Sequence, residues 1–308
     1  MGPMNTTALP RPAAAIPGGV YLTLAMITVG STVVASRIIA AGLPPFTAAA
    51  LRFAIALPIF LALMRWRGQA LPRPGRRDLA LIVLQALCGS VGYAVLLVAG
   101  LRTTSAANAG VIAGCLPAVG ALVGTLVLRE RIGARLAIAI VLACAGVGAV
   151  VLAPGARAPS TSLGGDLLVL AAVGCEALFL LLNKRLRVPL APLAQSTFMT
   201  AFGLGLTVVP ALAEHAWTRA VAAPALLGVV YYALVPTVGG YLLWYAGAER
   251  VSAGRAALYT AVLPVSALVL AALVLNEPIT GRQLLGAACV LAAIAASAVP
   301  GRVRRRKD

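Results

Sequence analysis

Ten apolar blocks alternate with short polar breaks along the 308 residues. They run over 17–41, 45–65, 79–100, 105–128, 133–153, 165–183, 191–213, 224–248, 253–275 and 280–299. Each is close to the ~20 residues that a helix needs to cross the hydrocarbon of a bilayer. The breaks carry residues that stop helices: Pro44-Pro45, RPGRRD at 73–78, RERIG at 129–133, PGARAPS at 154–160 and NEPITG at 276–281. The pattern predicts an all-α membrane protein with ten transmembrane helices. Residues 1–16 are rich in Pro and Ala and lack the charged start, apolar centre and cleavage site of a signal peptide, so a disordered tail is expected there. Residues 301–308 are expected to form a basic cytoplasmic tail.

Composition supports the bilayer. Hydrophobic residues make up 61% of the chain, charged ones only 11%, and the mean hydropathy is +0.98. Soluble domains carry about a quarter charged residues. The net charge of +17 would point to nucleic acid in a soluble protein, but in a membrane protein excess Lys and Arg mark cytoplasmic loops. With the N-terminus placed in the cytoplasm, 19 Lys and Arg fall on inside loops and tails and 5 on outside ends, with Arg52 left inside the second helix. Both termini are therefore expected in the cytoplasm. The lipid bilayer is an expected partner and nucleic acid is not. The five cysteines lie in apolar blocks without a CxxC pair, and the one histidine, His215, lies in a polar loop. No disulfide, metal or cofactor is expected.

One stretch occurs twice. Residues 100–132 and 247–279 align without a gap at a shift of 147 residues, with 11 of 33 positions identical, including Leu116-Pro117 over Leu263-Pro264 and Glu130 over Glu277. The shift is five helices, an odd number, so the second copy should cross the membrane the other way. The charges agree: Arg129 and Arg131 become Asn276 and Pro278, and Thr103 becomes Arg250. The expected domains are two inverted five-helix repeats, 17–153 and 164–300. Such halves suit transporters that alternate access.

The loop with Thr-Ser-Ala, the helix with Leu-Pro at its middle and the closing Leu-x-x-Glu resemble the EamA domain of the drug/metabolite transporter superfamily. Leu51-Arg52-Phe53 is similar to that domain's Leu-Arg-Phe, and Gln283 and Gly286 match its usual ending. The first half departs from that ending at Leu136 and Ala139, and the second has Met199 where Arg52 would repeat. The resemblance implies a ten-helix permease, usually of a bacterial inner (plasma) membrane, that moves small metabolites such as amino acids.

Glu176 is the one carboxylate deep within a predicted span, where a charge costs a few kcal/mol on insertion scales. It reads as a substrate-ammonium or proton site, or as a protonated or structurally paired side chain. Arg52 reads first as a helix-positioning residue and second as the partner of a substrate carboxylate. The two differ in depth by about 7 Å at 1.5 Å rise per residue. In the eighth helix Tyr241 and Trp244 share a face that suits an apolar or aromatic solute; Trp244 fits an interfacial aromatic belt equally well, and Tyr245 is read as belt. Asn108, Tyr259 and Thr260 are weaker pathway candidates. Pro117 and Pro264 each remove a backbone donor at mid-depth and point to a helix break beside the pathway, or to a kink with no further role. Glu130 and Glu277 precede new helices, whose N-termini favour a carboxylate; gating is their second reading.

The eight carboxylates are scattered, and there is no HExxH, GxSxG or phosphate-binding GxxxxGK[ST]. A secondary transporter is thus expected; the resemblance implies a small-metabolite cargo, amino acids or related compounds moved outward, with protons as a candidate coupling ion. The alternatives are a membrane-embedded enzyme acting on lipids, or a channel or receptor. Substrate identity, direction of transport, coupling ion and oligomeric state are not legible from the sequence.

Overall fold

A computed structural model describes residues 17–128, 134–151, 162–183, 185–218, 220–251 and 258–298. Every regular element among them is helical. We number the helices α1 (Gly18–Ala40), α2 (Pro45–Trp66), α3 (Arg76–Gly100), α4 (Ala106–Gly114), α5 (Leu116–Leu128), α6 (Ala134–Val151), α7 (Leu163–Asn183), α8 (Pro192–Ala213), α9 (Ala223–Ala248), α10 (Val262–Leu275) and α11 (Gly281–Ala298). A short 3₁₀ turn, Ala216–Thr218, lies between α8 and α9.

Six of these, α1, α2, α3, α7, α8 and α9, are long and apolar enough to cross a membrane. The pair α4 and α5, bent by 44° at Cys115, makes a seventh if it is one span. Within α6, α10 and α11 the apolar helices Ala137–Val151, Val262–Leu275 and Gly281–Ala296 are shorter than a full span. The described residues thus give six or seven spanning helices, against the ten that the hydrophobic pattern predicts.

Local chemistry sets the helix ends. Pro45 and Pro192 open α2 and α8, at positions where the missing N–H costs nothing. Ser105 caps α4 by accepting from the Asn108 N–H at 3.0 Å. Thr280 and Gln283 cap α11 reciprocally: the Gln283 N–H donates to Thr280 Oγ1 and the Thr280 N–H to Gln283 Oε1. Asn276 ends α10 in the left-handed conformation, φ 53°.

Two helices widen in the same place. α3 contains a π-helical stretch at Ala86–Gly92 and α9 one at Ala233–Gly239, and the two begin 147 residues apart. Pro236 removes a donor inside the second. Each wide turn rotates the residues after it relative to a regular helix.

The bundle packs through small residues, as helices do where lipid provides no hydrophobic drive between them. Every residue of α4 is buried, and its alanines and glycines meet α10 closely. α6 lies along α11 and α2 along α8; α1 packs on α9 and α10, and α7 on α3 and α5. The outer faces stay apolar, with Val141, Val209, Leu227 and Leu273 each at least 66% exposed. Water would not tolerate that surface, whereas lipid does.

Candidate functional site

A cavity of about 550 Å³ lies at the middle of the bundle, lined by α1, α2, α3, α4, α5, α7, α8, α9 and α10 and by Thr260. No described residue of the peripheral pair α6 and α11 lines it. The cavity extends to Asn183, the last residue of α7, to Gln195 near the start of α8, and to Trp244 and Tyr245 near the end of α9. It therefore reaches one end of the bundle.

The opposite end is tied shut by hydrogen bonds between loops and helix starts. Glu277 accepts from the N–H groups of Ala106 and Ala107 at 3.0 and 2.9 Å, one on each carboxylate oxygen. Glu214 accepts from the N–H groups of Phe46 and Thr47 and from the Thr47 hydroxyl. Thr104 donates to Asp166, Arg37 to the Leu101 carbonyl, and Arg102 to the Leu43 carbonyl. A carboxylate on a helix N-terminus combines charge-assisted bonds with the helix dipole.

Arg52 faces the cavity from α2 and is only 8% exposed. Its guanidinium carbon lies over two rings, 4.4 Å from the centroid of Phe53 and 4.5 Å from that of Tyr232. Two ring faces hold a cation at modest cost in hydration. The edge of the guanidinium is less well served: Nη2 donates to the Ser90 carbonyl at 3.4 Å, and Nε has no partner among the described residues. A buried orphan donor of this kind costs about 1–3 kcal/mol, more when charged. Glu176 faces the same cavity from α7, near enough for its charge to attract that of Arg52.

The other expected residues separate. Thr260, Pro117 and Trp244 line the cavity. Tyr245, expected in an interfacial belt, lines it too, whereas Tyr241 stands one layer back, edge-on to Phe60 at 5.4 Å and tilted against Tyr245 at 4.7 Å. Phe60, against which Tyr241 packs, lines the cavity. Asn108 is buried away from the cavity, where its Oδ1 accepts from Gln283 Nε2 at 2.7 Å. Tyr259 places its hydroxyl over Gly19 of α1, where any Cβ would meet it at 2.2 Å. Pro117 is the second residue of α5, just after the break at Cys115, and Pro264 is the third of α10, buried against Gly114.

Glu277 does sit on a helix N-terminus, but not that of the helix that follows it. It caps α4, 171 residues earlier in the chain, because Thr280 and Gln283 already satisfy the start of α11. Glu130 lies outside the described residues. Among the described residues no three His, Cys, Asp or Glu side chains gather as a metal site.

Several lining residues carry no sequence motif: Phe60, Ser90, Asn183, Gln195, Thr200 and Thr237. Much of the lining nevertheless follows the 147-residue shift. Val29 and Glu176, Arg52 and Met199, Phe53 and Thr200, Ser90 and Thr237, Ala113 and Thr260, and Leu116 and Leu263 are pairs at that spacing, and all twelve line the cavity. Ser90 and Thr237 lie in the two π-helical stretches.

Comparison with known proteins agrees with this architecture. The sequence profile of the EamA-like transporter family matches residues 16–152 and again 163–299. The chain is 33% identical over 283 residues to the uncharacterized transporter YetK of Bacillus subtilis (strain 168), covering 90% of this chain and 86% of that one. It is 25% identical over 258 residues to an uncharacterized transporter of Archaeoglobus fulgidus, covering 82% and 88%. A protein of known crystal structure superposes with a TM-score of 0.62 at 21% identity, over 91% of this chain and 96% of the other, which shows a shared fold.

Proposed function

The chain belongs to the EamA-like transporter family, a multi-pass membrane transporter rather than an enzyme, and from that premise we propose how it works. It is a ten-helix secondary transporter whose inverted halves, 17–153 and 164–300, alternate access to one central site. It exports amino acids or related compounds across a bacterial plasma membrane, with both termini in the cytoplasm.

The observation that carries this reading is the placing of Arg52 and Glu176 in one cavity built by both halves. A solute with a carboxylate would complete the unserved edge of Arg52 with charge-assisted bonds. That orphaned Nε favours a ligand role for Arg52 over a purely positioning one. Glu176 at the other pole takes up a proton or the solute's ammonium. Asn183 and Gln195, linked by a 2.9 Å bond from Gln195 Nε2 to Asn183 Oδ1, offer further polar contacts toward the open end.

Support for the inverted halves comes from the helix contacts. A shift of five spans turns α1 against α10 into α7 against α5, and α1 against α9 into α7 against α3. It exchanges the partners within the pairs α2 with α8 and α6 with α11. The paired cavity residues and the two π-helical stretches obey the same shift. With the charge bias setting the sides, the cavity opens to the cytoplasm, the face from which an exporter loads.

Untargeted metabolite measurement on cells overproducing the protein tests the reading. A zwitterionic or anionic solute depleted inside and enriched outside is expected, and absent from cells making Arg52→Gln. Enrichment inside would reverse the direction, and a cationic or neutral solute would remove Arg52 from the binding role.

A further inference from the structure

The cavity is not symmetric, and its asymmetry points to a second half of the pathway. Twelve lining residues form pairs at the 147-residue shift. Among the lining residues without such a counterpart, Asn183, Gln195, Ser196, Trp244 and Tyr245 lie at the open end, near the end of α7, the start of α8 or the end of α9. The residues that stand to them at the same shift are Ser36, Ala48, Ala49, Leu97 and Val98. Each of these is buried, none above 4% exposure. They lie at the closed end: near the end of α1, the start of α2 and the end of α3.

Resting on the inverted-repeat reading, we propose that Ser36, Ala48, Ala49, Leu97 and Val98 line a second half-channel, shut in this conformation, through which solute leaves on the opposite face. Under an inverted repeat the two halves can exchange conformations, so a residue that lines the open end has its counterpart at the end that opens next. An observation independent of the repeat marks the same place. The Ser36 hydroxyl is fully buried and has no hydrogen-bond partner among the described residues. A buried polar group normally finds a partner, and one without is relieved by water. Ser36 is the counterpart of Asn183, which already lines the open end. The two routes differ in chemistry. Amides and aromatic rings line the open end, whereas one hydroxyl among small and aliphatic side chains lines the shut one. A polar solute is held on the first side and let go on the second.

The seal over this second route includes the Glu277 carboxylate on the start of α4 and the bond from Thr104 to Asp166, beside the other ties of the closed end. That predicts a reciprocal response. Ser36→Cys, Ala49→Cys and Asn183→Cys are made one at a time in full-length protein whose five native cysteines are replaced by alanine or serine. Membrane-impermeant maleimide is applied in right-side-out and in inside-out vesicles. The thiol at position 183 should label from the cytoplasmic side, and those at positions 36 and 49 only slowly, from the outer side. Adding Glu277→Gln with Asp166→Asn should raise outer-side labelling at positions 36 and 49 at least about fivefold, the effect of ~1 kcal/mol on a population, and slow labelling at 183. The conservative Ser36→Cys and Ala49→Cys are chosen to fold. Faster labelling at all three positions would mean general loosening and overturn the proposal, as would silence at 36 and 49 after the seal is cut. If cysteines at 131 and 278 label from the same side, the inverted repeat itself fails. If they label from opposite sides while position 36 stays silent, only the second half-channel fails.

Discussion

At the scale of single residues, the central cavity brings together a guanidinium and a carboxyl group with different surroundings. Arg52 is held by ring faces and leaves Nε unserved, so its plane matters as much as its charge. Arg52→Lys keeps the cation but loses the flat stacking surface and the fork. Apparent affinity for the transported solute should fall about tenfold, equivalent to ~1.4 kcal/mol, with a lowered melting temperature. Unchanged affinity with lowered stability would return Arg52 to a positioning role. Glu176→Gln keeps the shape of the side chain and fixes it neutral. If Glu176 is the proton site, proteoliposomes with this variant should lose accumulation driven by a pH gradient yet retain exchange of preloaded solute. Loss of both would assign it to the solute's ammonium. Neither environment is legible from spacing. Leu51-Arg52-Phe53 supplies one ring, but Tyr232 comes from α9, 180 residues away.

At the scale of elements, the breaks in the helices are where chemistry gathers. The 44° bend at Cys115 and the π-helical stretches of α3 and α9 each present Gly, Ser or Thr to the cavity. Freed backbone groups are tolerated at such depth only where they face protein or a cavity. The prolines announce two of these breaks in the sequence; the widening at Ala86–Gly92 contains no proline and has no comparable signal. The cap on α4 is likewise tertiary. Glu277→Gln removes the charge from the dipole and one of two acceptors for N–H. It should destabilise purified protein by about 1 kcal/mol, a fall in melting temperature of about 2–4 °C, measured by thermal unfolding in detergent. No change would show that the cap is replaced by water and bears little of the closed end.

At the scale of the whole molecule, the proposed mechanism rests on the two halves running in opposite directions. Cysteines at 131 and 278, counterparts at the 147-residue shift, should label from opposite faces of the membrane, the first from the cytoplasm. Labelling from one face would remove the inverted repeat and with it the assignment of the cavity's open end. The lipid-facing surface needs no further explanation at this scale: apolar side chains such as Val209 and Leu273 point outward because hydrocarbon receives them.

Hydrophobic patterning by itself determined a helical membrane protein, and the ungapped repeat with its Leu-Pro and Glu positions determined the family resemblance. Both are properties of one segment read against solvent or against its own copy. Arg52 and Glu176 were also legible, because a charge within an apolar block is conspicuous anywhere. Only the tertiary structure decided that they share a cavity, that Phe60 lines it with Tyr241 packed against it, and that Asn108 serves Gln283 instead. Those outcomes depend on how helices far apart in sequence rotate against one another. Helical periodicity assigns a residue to a face, but the neighbour that meets that face is chosen by packing, and a π-helical turn resets the register on the way.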